Sequence, residues 1–149
     1  MSKPFHLQIL LDLAKESSDS AAARLGGANG QLQDMQERLN MLLDYRSEYT
    51  QRLASGTQSG LSCLDLRNFR EFIGKIDLAI SMQDAKVASA SAEVQASQLD
   101  WLTQQRKLKS FDTLSRRHRS TERYCEARRE QREQDDLVST RFFARRVMG

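Results

Sequence analysis

The chain has 149 residues, a formal net charge of +3, 39% hydrophobic and 29% charged residues, and a single proline. So low an apolar content argues against an ordinary globular core and suits helices that each bury only a stripe. No apolar run approaches the ~18–20 residues of a membrane span, and the short stretch from Leu7 to Leu13 is broken by Asp12, which does not fit a signal peptide.

Pro4 is tolerated at a helix start, so the first helix is predicted to begin near Ser2–Phe5. From Leu7 an apolar seam steps by four and three residues through Leu11, Ala14, Ser18, Ala21, Leu25, Ala28, Leu32, Met35, Leu39, Leu42, Arg46, Tyr49 and Leu53. A mean step of ~3.5 residues marks a helix that supercoils left-handedly on a partner. Gly26, Gly27 and Gly30 interrupt the composition but not the phase, which passes from Leu25 through Ala28 to Leu32. The expectation is a continuous, locally soft helix. A phosphate-binding loop is the sharper reading of those glycines, but no Lys-Ser/Thr follows Gly30 and no strand precedes Gly26.

Helix 1 is predicted over about 3–54, followed by a Gly/Ser-rich loop over 55–63. Ser62 is a plausible cap, and Asp65 is favourably placed near the N-terminal end of the next helix. Helix 2 is predicted over about 64–140. Its seam runs Leu66, Phe69, Ile73, Ile76, Ile80, Gln83, Val87, Ala90, Val94, Ser97, Trp101, Gln104, Leu108 and Phe111. Two matched tracts joined by a short loop make each helix the other's partner. The predicted fold is therefore all-α, a single long antiparallel two-helix coiled coil, or α-hairpin, spanning 1–149. Facing positions have numbers that sum to 118 or 119, as for Leu32 with Val87 and Ser18 with Trp101. Arg46, Gln83 and Gln104 are polar seam residues of the kind that fix register.

Beyond 112 the second helix outruns the first as a C-terminal overhang. Residues 1–105 carry ten Lys/Arg and thirteen Asp/Glu, whereas 106–149 carry thirteen and seven, so the excess of positive charge sits there. Pairs such as Glu126–Arg129, Arg129–Glu133 and Arg132–Asp136 have the spacing that supports an exposed helix. Cys63 and Cys125 fall too far apart in a hairpin to bridge, which suits a reducing cytosol. With only two cysteines and two histidines there is no metal-ligand spacing, and no cofactor is expected. A two-helix structure offers no enclosed pocket and no nucleophile–base pair, so the reading is not an enzyme.

Two surfaces remain. Tyr45 and Phe72 flank one layer near the loop, with Arg38 and Ala79 on the same side. The outer edges of Leu42, Tyr49, Ile76 and Gln83 extend this into an apolar–aromatic patch of the type that docks partners. The overhang is the second surface. Gln131, Asp135 and Asp136 share one side of a helix, with Glu126 and Arg128 just upstream. Nucleic-acid contact by its arginines is disfavoured, because acidic residues interleave with them and no stacking aromatics recur.

Several stretches of the chain carry a resemblance to a known family. They are Leu42-Leu43-Asp44-Tyr45-Arg46-Ser47-Glu48-Tyr49, then Asn68-Phe69 with Phe72-Ile73, Ala79-Ile80 with Gln83, Trp101 and Lys107, and a tail with Glu126, Arg128, Gln131, Asp135 and Asp136. Over nearly its full length the chain resembles the FliJ family of the bacterial flagellar type III export apparatus. The resemblance implies a two-helix stalk similar to that of rotary ATP synthases. It implies that the Glu126–Asp136 segment binds and stimulates a FliI-like export ATPase, and that the aromatic patch contacts the cytoplasmic domain of a FlhA-like export gate. It also implies escort of export chaperones, and a cytoplasmic location, peripheral at the inner face of the cell membrane through these partners. Neighbouring readings are an injectisome-type secretion stalk of the same shape and, from another class, a basic coiled-coil nucleic-acid-binding protein.

Overall fold

A computed structural model describes residues 3–148, with side chains from His6 to Met148. It consists of helix α1 (Lys3–Gln58) and helix α2 (Cys63–Met148), paired antiparallel as an all-α coiled-coil hairpin. The expected start near Ser2–Phe5 includes Ser2, which lies outside the described residues. The seams predicted from heptad spacing are the faces that the helices bury. Every seam position of the second tract is buried or half-buried, and so are thirteen of the fourteen in the first. The exception is Arg46. Its long side chain leaves the seam and donates a hydrogen bond from Nε to the Asp77 carboxylate at the surface.

The turn differs from expectation. The helix was placed to about 54 and the loop over 55–63, but α1 runs on to Gln58 and only four residues separate it from α2. Hydroxyls that read as loop-formers instead donate back into the helix, Thr57 to the Leu53 carbonyl and Ser59 to the Ser55 carbonyl, each at 2.7 Å. The end is a Schellman closure: Gly60 takes φ 82°, and Leu61 N–H donates to the Gly56 carbonyl at 3.0 Å. Gly56 is needed for a separate reason. A Cβ there would lie 2.0 Å from Leu61 Cδ1, so its bare backbone is the seat of the leucine that closes the turn. Ser62 then caps α2, its Oγ accepting from Asp65 N–H at 3.2 Å, while its carbonyl accepts the first helical bond from Leu66.

The chain clusters into two compact units. One comprises residues 19–103. Its centre is Ala21, Ala28, Ile76 and Gln83, all buried. Register is fixed there by two contacts whose residue numbers each sum to 118. The Gln83 amide donates to the Met35 carbonyl at 2.9 Å, and the Tyr49 and Phe69 rings lie 6.4 Å apart. Burying Gln83 is tolerable because its amide is satisfied by a backbone acceptor. An Arg24–Asp100 ion pair at 3.0 Å reaches diagonally, about one and a half turns further along α2.

The other unit comprises 1–18 with 104–149. Leu11, Ala14 and Ser18 are buried, and the Ser18 hydroxyl accepts from the Gln105 amide at 2.7 Å. The seam of α2 does not stop at Phe111, because Ser115 is buried and His118 is half-buried. His118 Nε2 lies 3.1 Å from a Glu122 carboxylate oxygen but makes no hydrogen bond of good geometry. From 119 to 148 every residue is exposed. The bare overhang therefore begins about two turns later than the charge pattern suggested.

Candidate docking surfaces

The aromatic patch forms around Tyr49. This residue occupies a seam position, so its backbone faces α2 while its ring extends along the interface. Phe72 lies just outside the seam of α2, and its ring packs on Tyr49 at 4.6 Å between centroids with a 54° tilt. That geometry matches the tilted arrangement aromatic pairs favour. The Arg52 guanidinium sits 5.5 Å above the same Tyr49 ring. Tyr45 and Phe72 remain 49% and 44% exposed, although each is a large apolar side chain.

The eight residues proposed for this surface are not equivalent. Arg38, Tyr45 and Phe72 are exposed, while Leu42, Tyr49 and Ala79 are half-buried. Ile76 and Gln83 retain only 7% of their surface. They were expected to present solvent-facing edges, but the coiled coil consumes both, Ile76 as core and Gln83 by bonding to Met35. They form the floor on which the accessible residues stand.

Sequence reasoning passed over Asp77. Its carboxylate, through its hydrogen bond and then its charge, raises the Arg46 pKa above the ordinary arginine value. The guanidinium is charged at any accessible pH with or without that shift, so the pair orients Arg46 without making it a pH switch. The signal was present, since an acidic residue flanking the facing seam lies within reach of any arginine that exits its own. Exposed Met41 and Leu43 also lie close in sequence to the patch and add apolar surface to this stretch of α1.

On the overhang, Glu126, Arg128, Gln131, Asp135 and Asp136 are all exposed. Arg128 lies 5.7 Å over the Tyr124 ring. The pairs Glu126–Arg129, Arg129–Glu133 and Arg132–Asp136 were expected to support this helix. None of them forms: among the described residues the last ion pair along α2 is His118–Glu122. Exposed pairs of long side chains gain little over hydration, so their absence is unsurprising. The consequence is chemical, because these charges are available to something else.

Among the described residues there is no group of three or more His, Cys, Asp or Glu that could hold a metal ion, and no helix is long and apolar enough to cross a membrane. What the chain offers is side-chain surface on two helices.

Known proteins share this plan. The family model described as "Flagellar FliJ protein" matches residues 2–147. Flagellar FliJ proteins of Salmonella typhi and Escherichia coli K12 are each 28% identical over 132 residues, covering 89% of this chain and 90% of theirs. Among solved structures, a protein described as a YscO homolog, CT670 from Chlamydia trachomatis, superposes with a TM-score of 0.55 over 93% of this chain and 90% of its own. At 14% identity that likeness concerns the fold alone. The match to the family model spans almost the whole sequence, both paired tracts and the overhang together, and the chain belongs to the flagellar FliJ family.

Proposed function

We propose that this chain is a coiled-coil stalk and adaptor of flagellar protein export, with no chemistry of its own. In this reading it binds and stimulates an export ATPase of the FliI type through the overhang. It contacts the cytoplasmic domain of an export gate of the FlhA type through the aromatic patch, and it escorts export chaperones. Family membership supports the setting. The observation that supports the division of labour is that each unit carries one surface its own fold leaves unsatisfied. In the unit of residues 19–103 it is the half-exposed Tyr45–Tyr49–Phe72 group. In the other it is a helix from 119 to 148 with no residue covered.

The two surfaces differ in kind, and so should their binding. Burial of two half-exposed aromatic rings is apolar and weakly dependent on salt. Contacts by Glu126, Arg128, Gln131, Asp135 and Asp136 are charged and exposed, so they weaken as ionic strength screens them. Placement at the inner face of the membrane follows in this reading from the gate.

The test is capture of the purified chain on immobilised ATPase and, separately, on immobilised gate domain, across a salt series. Salt-sensitive retention by the ATPase and salt-tolerant retention by the gate domain support the assignment. Retention by neither partner at any salt concentration refutes it.

A further inference from the structure

The composition of the overhang changes abruptly at Leu137. Residues 119–136 hold five arginines and six acidic residues, which nearly cancel. Residues 137–149 hold three arginines and no acidic residue. In the same stretch Leu137, Val138, Phe142, Phe143, Val147 and Met148 are between 60% and 93% exposed. An exposed helix that needs only solubility has no use for six large apolar side chains in twelve positions, and nothing among the described residues covers them.

Their arrangement is directional. With successive residues about 100° apart around a helix, Leu137, Thr140, Phe143, Ala144, Val147 and Met148 fall within an arc of about 140°. Arg141 borders that arc on one side and Arg146 stands beyond it on the other. Arg145 lies next to Arg141. Val138 and Phe142 lie on the far face, and the Arg146 guanidinium sits 5.9 Å over the Phe142 ring. An apolar arc flanked by arginines and free of carboxylates is the pattern of a helix lying in a lipid interface, with its side chains in the acyl boundary and its guanidiniums among the headgroups.

We propose that residues 137–148 bind directly to an anionic phospholipid surface. The charge selects the occupant. A neutral bilayer rewards only the apolar arc, which is short. An anionic one adds attraction for three arginines, each contributing roughly fivefold to binding near a negatively charged leaflet. A protein groove would need to be both apolar and uniformly acidic to match the segment as well. The segment lies outside Glu126–Asp136, so this contact and the one proposed for the ATPase are independent of each other.

Co-sedimentation of the full chain with phosphatidylcholine vesicles, with and without phosphatidylglycerol, tests this. The chain should pellet with the anionic vesicles, remain in the supernatant with the neutral ones, and detach as salt is raised. The variant R141Q/R145Q/R146Q should lose at least tenfold in apparent affinity, and F143S/V147S a comparable amount. The variant R129Q/R132Q removes two charges from the balanced stretch and should bind as the unmodified chain does. Every residue of the segment is exposed, so far-UV helicity should be nearly unchanged in all three variants. Equal pelleting with neutral vesicles, no pelleting with anionic ones, or an equal loss in R129Q/R132Q would overturn the proposal.

Discussion

Three glycines in α1 provide a sharp test of the packing described here. Gly26, Gly27 and Gly30 lie within a continuous helix, and a Cβ built on any of them meets nothing within 4 Å. None adopts positive φ, since the positive-φ glycine of the described chain is Gly60. Alanine should therefore fit all three sites without strain. Each exchange removes backbone freedom from the unfolded chain and should stabilise by roughly 0.5–1 kcal/mol. The triple variant G26A/G27A/G30A should gain about 1.5–3 kcal/mol, or roughly 4–10 °C in Tm for a chain of this size. Two other glycines supply the contrast. G60A forces alanine into the left-handed region at a cost of about 1–2 kcal/mol, and G56A evicts Leu61 from its seat on the turn. Thermal and urea unfolding followed by far-UV circular dichroism would measure all three variants. A triple variant no more stable than the unmodified chain would show that something outside the described contacts already occupies those sites. The reasoning would then fail.

Other outcomes follow from the register and the caps. The double variant L32C/V87C should form an intramolecular disulfide on mild oxidation, because Met35–Gln83 and Tyr49–Phe69 fix the same pairing between that layer and the turn. Crosslinking in L32C/L108C instead would mean the register is wrong. Replacing Ser62 by Ala removes the acceptor for Asp65 N–H and should cost about 1 kcal/mol in chemical unfolding, with no change in partner binding. An effect on gate binding as large as that of losing Phe72 would show that the turn itself is contacted.

The paired helices were readable in the sequence because a period of ~3.5 leaves only one face to bury. What escaped the reading was decided by single side chains rather than by period. Arg46 sat in phase, but a long charged side chain can leave a seam wherever an acidic residue such as Asp77 awaits it. Ser55, Thr57 and Ser59 have loop composition, yet the Thr57 and Ser59 hydroxyls close onto the Leu53 and Ser55 carbonyls one turn back and extend the helix. Ser115 and His118 keep the heptad phase under a basic sequence, and the surrounding charges hid their burial from a reading that ended the seam at Phe111. At the candidate site, Tyr45 and Phe72 were legible as flanking aromatics of one layer. Spacing had already put Ile76 and Gln83 in the seam, but that Phe72 would pack on Tyr49, and that the Gln83 amide would reach the Met35 carbonyl, depends on ring orientation and amide geometry, which spacing does not encode. The charged residues of the overhang were legible as a surface, but the ion pairs expected among them were not realised.

The central claim is that two surfaces on one coiled coil serve two different partners, and a double dissociation tests it most directly. Binding of the export ATPase and of the gate domain would be measured for the unmodified chain, for Y45A/F72A and for a chain lacking residues 126–149. The rings of Tyr45 and Phe72 are half exposed, so their loss should cost less than the ~3–5 kcal/mol of a core Phe→Ala and leave helicity nearly intact. The account predicts that Y45A/F72A loses the gate domain and keeps the ATPase, while the truncation loses the ATPase and keeps the gate domain. If one variant abolishes both interactions with its helicity preserved, or if the truncated chain still stimulates the ATPase fully, the two-surface account is contradicted.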